Sequence, residues 1–529
     1  MFCIVRQTEA VPAAPVVHIL KQPDGTSFKA KKWGDEWSHG WETLDGYTIV
    51  KDKKTKYWHY ATKNQKGSLV PSGRIVGRHG PPAFLTQHLR PKKTLKQKAP
   101  LKRIQQTPTL TPSQKTIPPT GTANIPVILI TFSDRQNDNI STPSDFENIL
   151  FGTGNYSMKD YFEEVSYSAF SVSSGPSGVR GWYVASNTHD YYGTNYPYGY
   201  DRWPGDLVYE AVQQADQDID FSTYDNDHDC YVDVVVIVHQ GQGEEASDNS
   251  TDIWSHMWSL SAAKDSGYSN HGAYTTNDND TACPSGYIVD EYTIQPEQFQ
   301  GGLTTIGVFA HEYGHALGLP DLYDTDYSSQ GIGKWGLMAS GVWNSLSRPG
   351  DRPAHPCAWS KFFLGWVTPQ EVTSSMFQVQ IQPASTSADV YQFLSGGPRS
   401  GEYFLIENRD NTTGFDIGLP GSGLLVWHID GSVITNNLNT VNNHECYPSG
   451  PSCAKQHYGV ALVQADNMWN LEKGQNSGDS GDPFPGFTNK TSFTDSTSPS
   501  SGLYNGDDSG IGIENISTSG PDIIADLVT

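Results

Sequence analysis

The stretch VFAHEYGHALGLPD (residues 308–321) decides the reading of this chain, because it spaces two histidines, a glutamate, a glycine and an aspartate as HExxHxxGxxD. On a helix, residues four apart lie on one face, one turn above each other. His311 and His315 can therefore aim two imidazoles at one metal ion. Glu312 sits beside that face, where a carboxylate can take a proton from water activated by the metal without being a ligand itself. Gly318 can adopt the positive φ that ends a helix, and Pro320 cannot continue one. The reversal brings Asp321 back as a third, oxygen ligand and leaves a fourth tetrahedral position open, the pattern of a catalytic rather than a structural zinc site. HExxH alone recurs in unrelated surface helices, and it is the longer spacing, with Gly318 and Asp321 in place, that argues for catalytic zinc.

The rest of the chain bounds what such a site can serve. A length of 529 residues implies several domains, and 52 Gly, 33 Pro, 27 Tyr and 14 Trp with 36% hydrophobic residues describe a loop-rich, aromatic globular protein. No apolar run approaches the ~18 residues of a membrane span. The net charge of −23 is unevenly divided: residues 1–121 hold 21 Lys+Arg against 7 Asp+Glu, a net of +14, and the remainder holds 14 against 51, a net of −37. A basic arm with so large an acidic partner in the same chain reads as intramolecular docking rather than nucleic-acid binding. Of the six cysteines, Cys446 and Cys453 bracket a short polar loop that can close as a disulfide in an oxidising compartment, and Cys230 with Cys283 is a second possible pair. The N-terminal MFCIVRQTEAVPAAP has an apolar run too short for the ~7–15-residue core of a secretory signal. The chain therefore either lacks its leader or is exported by another route.

Periodicity divides the chain into four parts. Residues 1–90 carry short aromatic strands between PDG and LDG turns and read as a β-rich unit. Residues 91–122 are rich in Lys and Pro, lack periodicity and acids, and read as an exposed, cleavable linker behind a prosegment. Residues 123–366 run strand (IPVILITFSD), helix (GDLVYEAVQQADQDI), strand (YVDVVVIVHQG) and then the motif helix, an α/β order of metallopeptidase type. Residues 367–529 hold short strands such as EYFLIENRD and SGLLVWHID between Gly, Ser and Asn loops, a mostly β unit, as in a sandwich.

Two acidic groups are secondary metal candidates. Asp225, Asp227, Asp229 and Asp233 alternate as in a calcium loop, although Cys230 stands where the helix-loop-helix pattern needs glycine and Val236 where it needs glutamate. Asp466, Asp479 and Asp482 form a second group in a Gly-rich loop, and both groups can equally be Asx-rich turns.

The segment FAHEYGHALGLPDLYDTDYSSQGIGKWGLMASGVWN (309–344) resembles the zinc motif and following loop of the immune inhibitor A-type metallopeptidases, a metzincin-like family. KKWGDEWSHGWETLDGYTIV, EYFLIENRDNTTGFDIGLPGSGLLVWHID and GDSGDPFPG are similar to other parts of that family. The resemblance implies His311 and His315 as zinc ligands, Glu312 as general base and Met338 as the methionine of a tight turn under the metal. Asp321 stands where most metzincins have a third histidine, with Asp324 and Asp326 as substitutes. It also implies an inhibitory propeptide and broad cleavage of proteins. Asp35, in WGDE, resembles the aspartate switch of astacin-type precursors, and Glu36, His39 or Cys3 could serve instead.

The sequence thus leads to a secreted zinc endopeptidase with an α/β (α+β) metzincin-like catalytic domain, an N-terminal β-rich propeptide and a C-terminal β-rich domain. It is expected to be a monomer acting on proteins or peptides, held latent by its own propeptide, with Zn2+ and in addition Ca2+ as candidate cofactors. Neither nucleic acid nor a membrane span is expected. The alternative is a metal-containing adhesion protein whose β-rich parts do the binding, and the presence of Glu312 speaks against it.

Overall fold

The computed structural model describes residues 9–92, 117–136, 138–195, 200–436, 438–518 and 520–529. Cys3 and most of the basic linker lie outside the described residues.

The fold is mixed α/β. Its central sheet is built from the strands Val127–Thr131, Val235–Gln242 and Glu291–Phe299, which run parallel, with Arg180–Val184 on one edge and the antiparallel His256–Ser259 near the other. VILIT and VVIVH are continuous β-branched and aliphatic runs, as a strand covered on both faces requires. Alternation along them sorts the side chains. Val127, Leu129, Val236 and Val238 face Phe309, Ala310, Tyr313 and Ala316 of the motif helix. Ile128, Ile130, Val235 and Ile237 face Leu207, Val208, Ala211 and Val212 of the helix Pro204–Ala215. Each such side chain contributes about 1.5–3 kcal/mol by leaving water.

The C-terminal part stacks two further layers on this domain. A five-stranded sheet containing Val390–Phe393, Glu402–Arg409 and Gly423–Asp430 turns Leu405, Trp427 and Ile429 towards the α/β core and Phe404, Ile406 and Val426 towards a four-stranded sheet. The latter supplies Ile381, Phe493, Ile513 and Leu527, so the two sheets form a sandwich around one core. Arg409 ties the layers together: fully buried, it donates to both Asp416 oxygens at 2.6 Å, to Glu407 and to the Trp335 carbonyl. Cys230–Cys283 and Cys446–Cys453 are both disulfide-bonded.

At the N-terminal end, six sequential antiparallel strands from His18–Lys21 to Leu69–Ile75 form a meander. Its leading arm leaves that sheet. Glu9–Ala10 pairs antiparallel with His256–Ser259 and becomes an edge of the central sheet.

Candidate active site

The sequence 306–316 forms a helix whose eleven residues are all buried, a consequence of apolar residues around the whole circumference. The helix ends where expected: Gly318 has φ +98°, and Gly318 N–H and Leu319 N–H donate to the His315 and Gly314 carbonyls. Only a residue without Cβ adopts this conformation readily. The turn has two effects on the site. It places the Leu319 carbonyl 2.8 Å from His315 Nδ1, and it swings Asp321 back beneath the histidines.

His311 Nε2 and His315 Nε2 lie 3.2 Å apart, and Asp321 Oδ1 is 3.3 Å from each. His311 Nδ1 is 2.9 Å from the Leu337 carbonyl. Each Nδ1 thus faces an acceptor and carries the proton, which leaves both Nε2 atoms as lone pairs aimed at one point with a carboxylate oxygen. Two converging lone pairs repel unless a cation lies between them, so these residues fit a metal ion. Asp324 is instead engaged by Ser328 and Ser329. Of the three aspartates considered, Asp321 is the one brought to the histidines.

Glu312 is fully buried, and burial pushes its carboxyl well above the usual range, partly opposed by His315. Among the described residues, its Oε2 has no hydrogen-bond partner. Its Oε1 accepts a 2.9 Å hydrogen bond from Val11 N–H. Met338 is buried against the middle of the motif helix, where a Cβ on Gly314 would meet its Sδ at 2.8 Å, and its carbonyl accepts from Leu322 N–H. The loop after Asp321 and the helix are thereby held on one methionine.

The N-terminal arm lies across this site. Tyr323 donates through its hydroxyl to the Ala10 carbonyl, Trp254 Nε1 to that of Val11 and Trp343 Nε1 to that of Pro12. Further along the segment, Lys32 Nζ is buried against the Glu244 carbonyl at 2.6 Å and its carboxylate at 3.2 Å. Asp35 Oδ1 accepts from Trp37 N–H and Ser38 N–H, so that oxygen closes its own turn. The neighbouring Glu36 is buried, and among the described residues neither of its carboxylate oxygens is hydrogen-bonded. Burial raises its carboxyl well above the usual range, and Asp35, Asp321 and Glu312 add to the rise. His39 stacks on Trp254 and lies 3.4 Å from Glu244. Val11, Lys32, Trp254, Tyr323 and Trp343 carry no local signal in the sequence. A short strand with two prolines nearby gives no hint of a partner 301 positions away.

Among the acidic groups, Asp225, Asp227 and Asp229 bring oxygens within 4.8 Å of one another, as do Asp466, Asp479 and Asp482. Asp233 instead pairs with Asn226. Asp225 accepts from the N–H groups of Asp229 and Cys230, the bonding of an Asx-rich turn.

A buried His–His–Asp set with an adjoining glutamate, carried by a mixed α/β domain, defines the class: a domain of metallopeptidase type. Residues 121–367 match the family model described as immune inhibitor A peptidase M6, catalytic domain. The chain is 33% identical over 253 residues to Pre-pro-metalloprotease PrtV of Vibrio cholerae serotype O1, covering 42% of this chain and 26% of that protein. It is 29% identical over 263 residues to Immune inhibitor A of Bacillus thuringiensis subsp. alesti, covering 41% and 36%. The resemblance read from the motif therefore holds over the catalytic domain, and the chain spans about a quarter to a third of the length of these relatives.

Proposed function

We propose that the chain is a secreted zinc endopeptidase made as a latent precursor. The convergence of His311 Nε2, His315 Nε2 and Asp321 Oδ1 beside the buried Glu312 carries this reading. Those three residues would hold the metal, with Met338 supporting the turn behind them. A zinc ion there supplies Lewis acidity towards a peptide carbonyl and towards water. Glu312 accepts the proton of the attacking water and delivers it to the leaving amine, and its burial keeps it from exchanging that proton with bulk solvent. His311 and His315 are held in one tautomer and orientation by the Leu337 and Leu319 carbonyls, so the site needs little rearrangement. An extended substrate would add to the free edge of His256–Ser259, as Glu9–Ala10 does.

The same contact supports latency. The N-terminal unit of residues 1–90 acts as the propeptide, its arm taking the place of substrate backbone, with Val11 N–H holding Glu312 Oε1 and Asp35, or in its place Glu36, as the acid set against the metal site. The word pre-pro in the name of the Vibrio relative agrees with such a precursor. Secretion is consistent with the two disulfides. The acidic groups at 225–229 and 466–482 offer oxygen ligands of the kind calcium takes, and calcium-dependent protection from proteolysis checks that reading.

The direct test nicks the linker with trypsin and follows casein cleavage with and without a zinc chelator, beside Glu312→Ala. Activity that survives both sinks the zinc-peptidase reading.

A further inference from the structure

Trp37, the residue after Glu36, is inserted into an aromatic pocket whose walls all belong to the catalytic domain. Its ring meets Tyr200 at 4.7 Å, Trp258 at 6.1 Å and Tyr268 at 6.5 Å, each edge-on, with Pro204 and His256 completing the lining. The space left beside it is about 20 Å³, room for a single water. Trp258 and His256 are alternate residues of the edge strand His256–Ser259, and therefore share one face of it. That strand is the one whose free edge the N-terminal arm occupies, Ala10 standing opposite His256. The pocket is thus lined by residues of the same strand whose edge would take an extended peptide. Asp201 also lines it and keeps one buried carboxylate oxygen, Oδ1, without a hydrogen-bond partner among the described residues, an acceptor for an indole N–H or a phenol.

We propose that this pocket is a specificity subsite of the peptidase, filled in the precursor by Trp37 and, after activation, by a large aromatic side chain of the substrate. The proposal rests on the peptidase reading above for the identity of its ligand. It explains why a tryptophan stands at position 37: the same pocket that selects the substrate side chain anchors the segment that excludes it. Tyr268, on the loop after the helix Leu260–Ser266, is the half-buried wall and the residue to change.

The experiment uses the full chain carrying Glu312→Ala, to prevent cleavage, and Trp37→Ala, to vacate the pocket, nicked with trypsin in the linker. A fluorescein-labelled Gly-Ala-Trp-Ala-Gly peptide is expected to bind roughly tenfold more tightly than its Gly-Ala-Ala-Ala-Gly counterpart. Adding Tyr268→Ala should bring the difference to about twofold, while Tyr268→Phe, which keeps the ring and the fold, should preserve it. Equal affinity for the two peptides, or a difference that Tyr268→Ala leaves unchanged, overturns the subsite. The nicked chain with Glu312 intact tests the other reading separately: discrimination between the peptides without chelator-sensitive casein cleavage would overturn the peptidase assignment and leave the subsite standing.

Discussion

Val11 N–H donates to Glu312 Oε1 at 2.9 Å across a buried contact, joining the N-terminal arm directly to the carboxylate assigned as general base. The bond engages one Glu312 oxygen and places peptide backbone where a substrate would lie. Val11→Pro removes the donor and leaves a buried acceptor unsatisfied, at a cost of about 1–3 kcal/mol to the docked state. The uncut precursor carrying Val11→Pro is expected to cleave a quenched casein substrate roughly ten times faster than uncut wild type. An equally silent variant would show that latency resides elsewhere in the segment.

Glu312→Gln keeps the shape of the side chain and removes its basicity. Zinc content by atomic absorption should remain at the wild-type level, since Glu312 is not among the converging ligand atoms. Turnover of the nicked chain should fall by about 10²–10⁴-fold. His315→Ala is expected to lose both zinc and turnover. A Glu312→Gln protein that loses its zinc would make Glu312 a ligand instead.

Gly314 and Met338 form a coupled pair, because a Cβ at 314 would stand 2.8 Å from Met338 Sδ. Gly314→Ala should destabilise the fold by about 1–3 kcal/mol through overpacking, and Met338→Ala by about 2–5 kcal/mol through the void it leaves. The double variant should be more stable than the sum of the two losses, since the added methyl enters the vacated space. Thermal unfolding of the three proteins measures the coupling, and strict additivity would refute the contact.

Asp416 is buried against Arg409. Burial alone would raise its carboxyl, but the forked guanidinium, with His355 beside it, holds it well below the usual carboxylate range. A carboxyl depressed in the folded state stabilises fully above its unfolded pKa, about 3.9, and that stabilisation is lost as pH falls through the lower folded value. Asp416→Asn removes one of the two carboxylates paired with Arg409, Glu407 being the other, in the junction between the α/β core and the sandwich, and should cost about 3–5 kcal/mol at neutral pH. Urea unfolding should show that gap constant from pH 7 down to about pH 4 and narrowing only in stronger acid.

The motif helix and its stop were legible because their signals are local. The i, i+4 histidines predicted a shared face, and Gly318 followed by Pro320 predicted the turn that the φ of +98° realises. Strands such as VILIT and VVIVH were legible for the same reason, since two-sided burial leaves an uninterrupted apolar run. One oxygen of Asp35 turns to the backbone of its own WGDE turn, a competition that short Asx side chains enter readily.

The sequence by itself determined the spacing of residues 311, 312 and 315, the end of their helix and the likeness of residues 309–344 to the immune inhibitor A-type family, since each depends on residues close to one another in the chain. Tertiary structure alone decided what faces Glu312 and where Trp37 goes. Those contacts join residues dozens to hundreds of positions apart, and no periodicity in the chain records which distant edge, pocket or lone pair a short segment such as Ala10–Val11–Pro12 will meet.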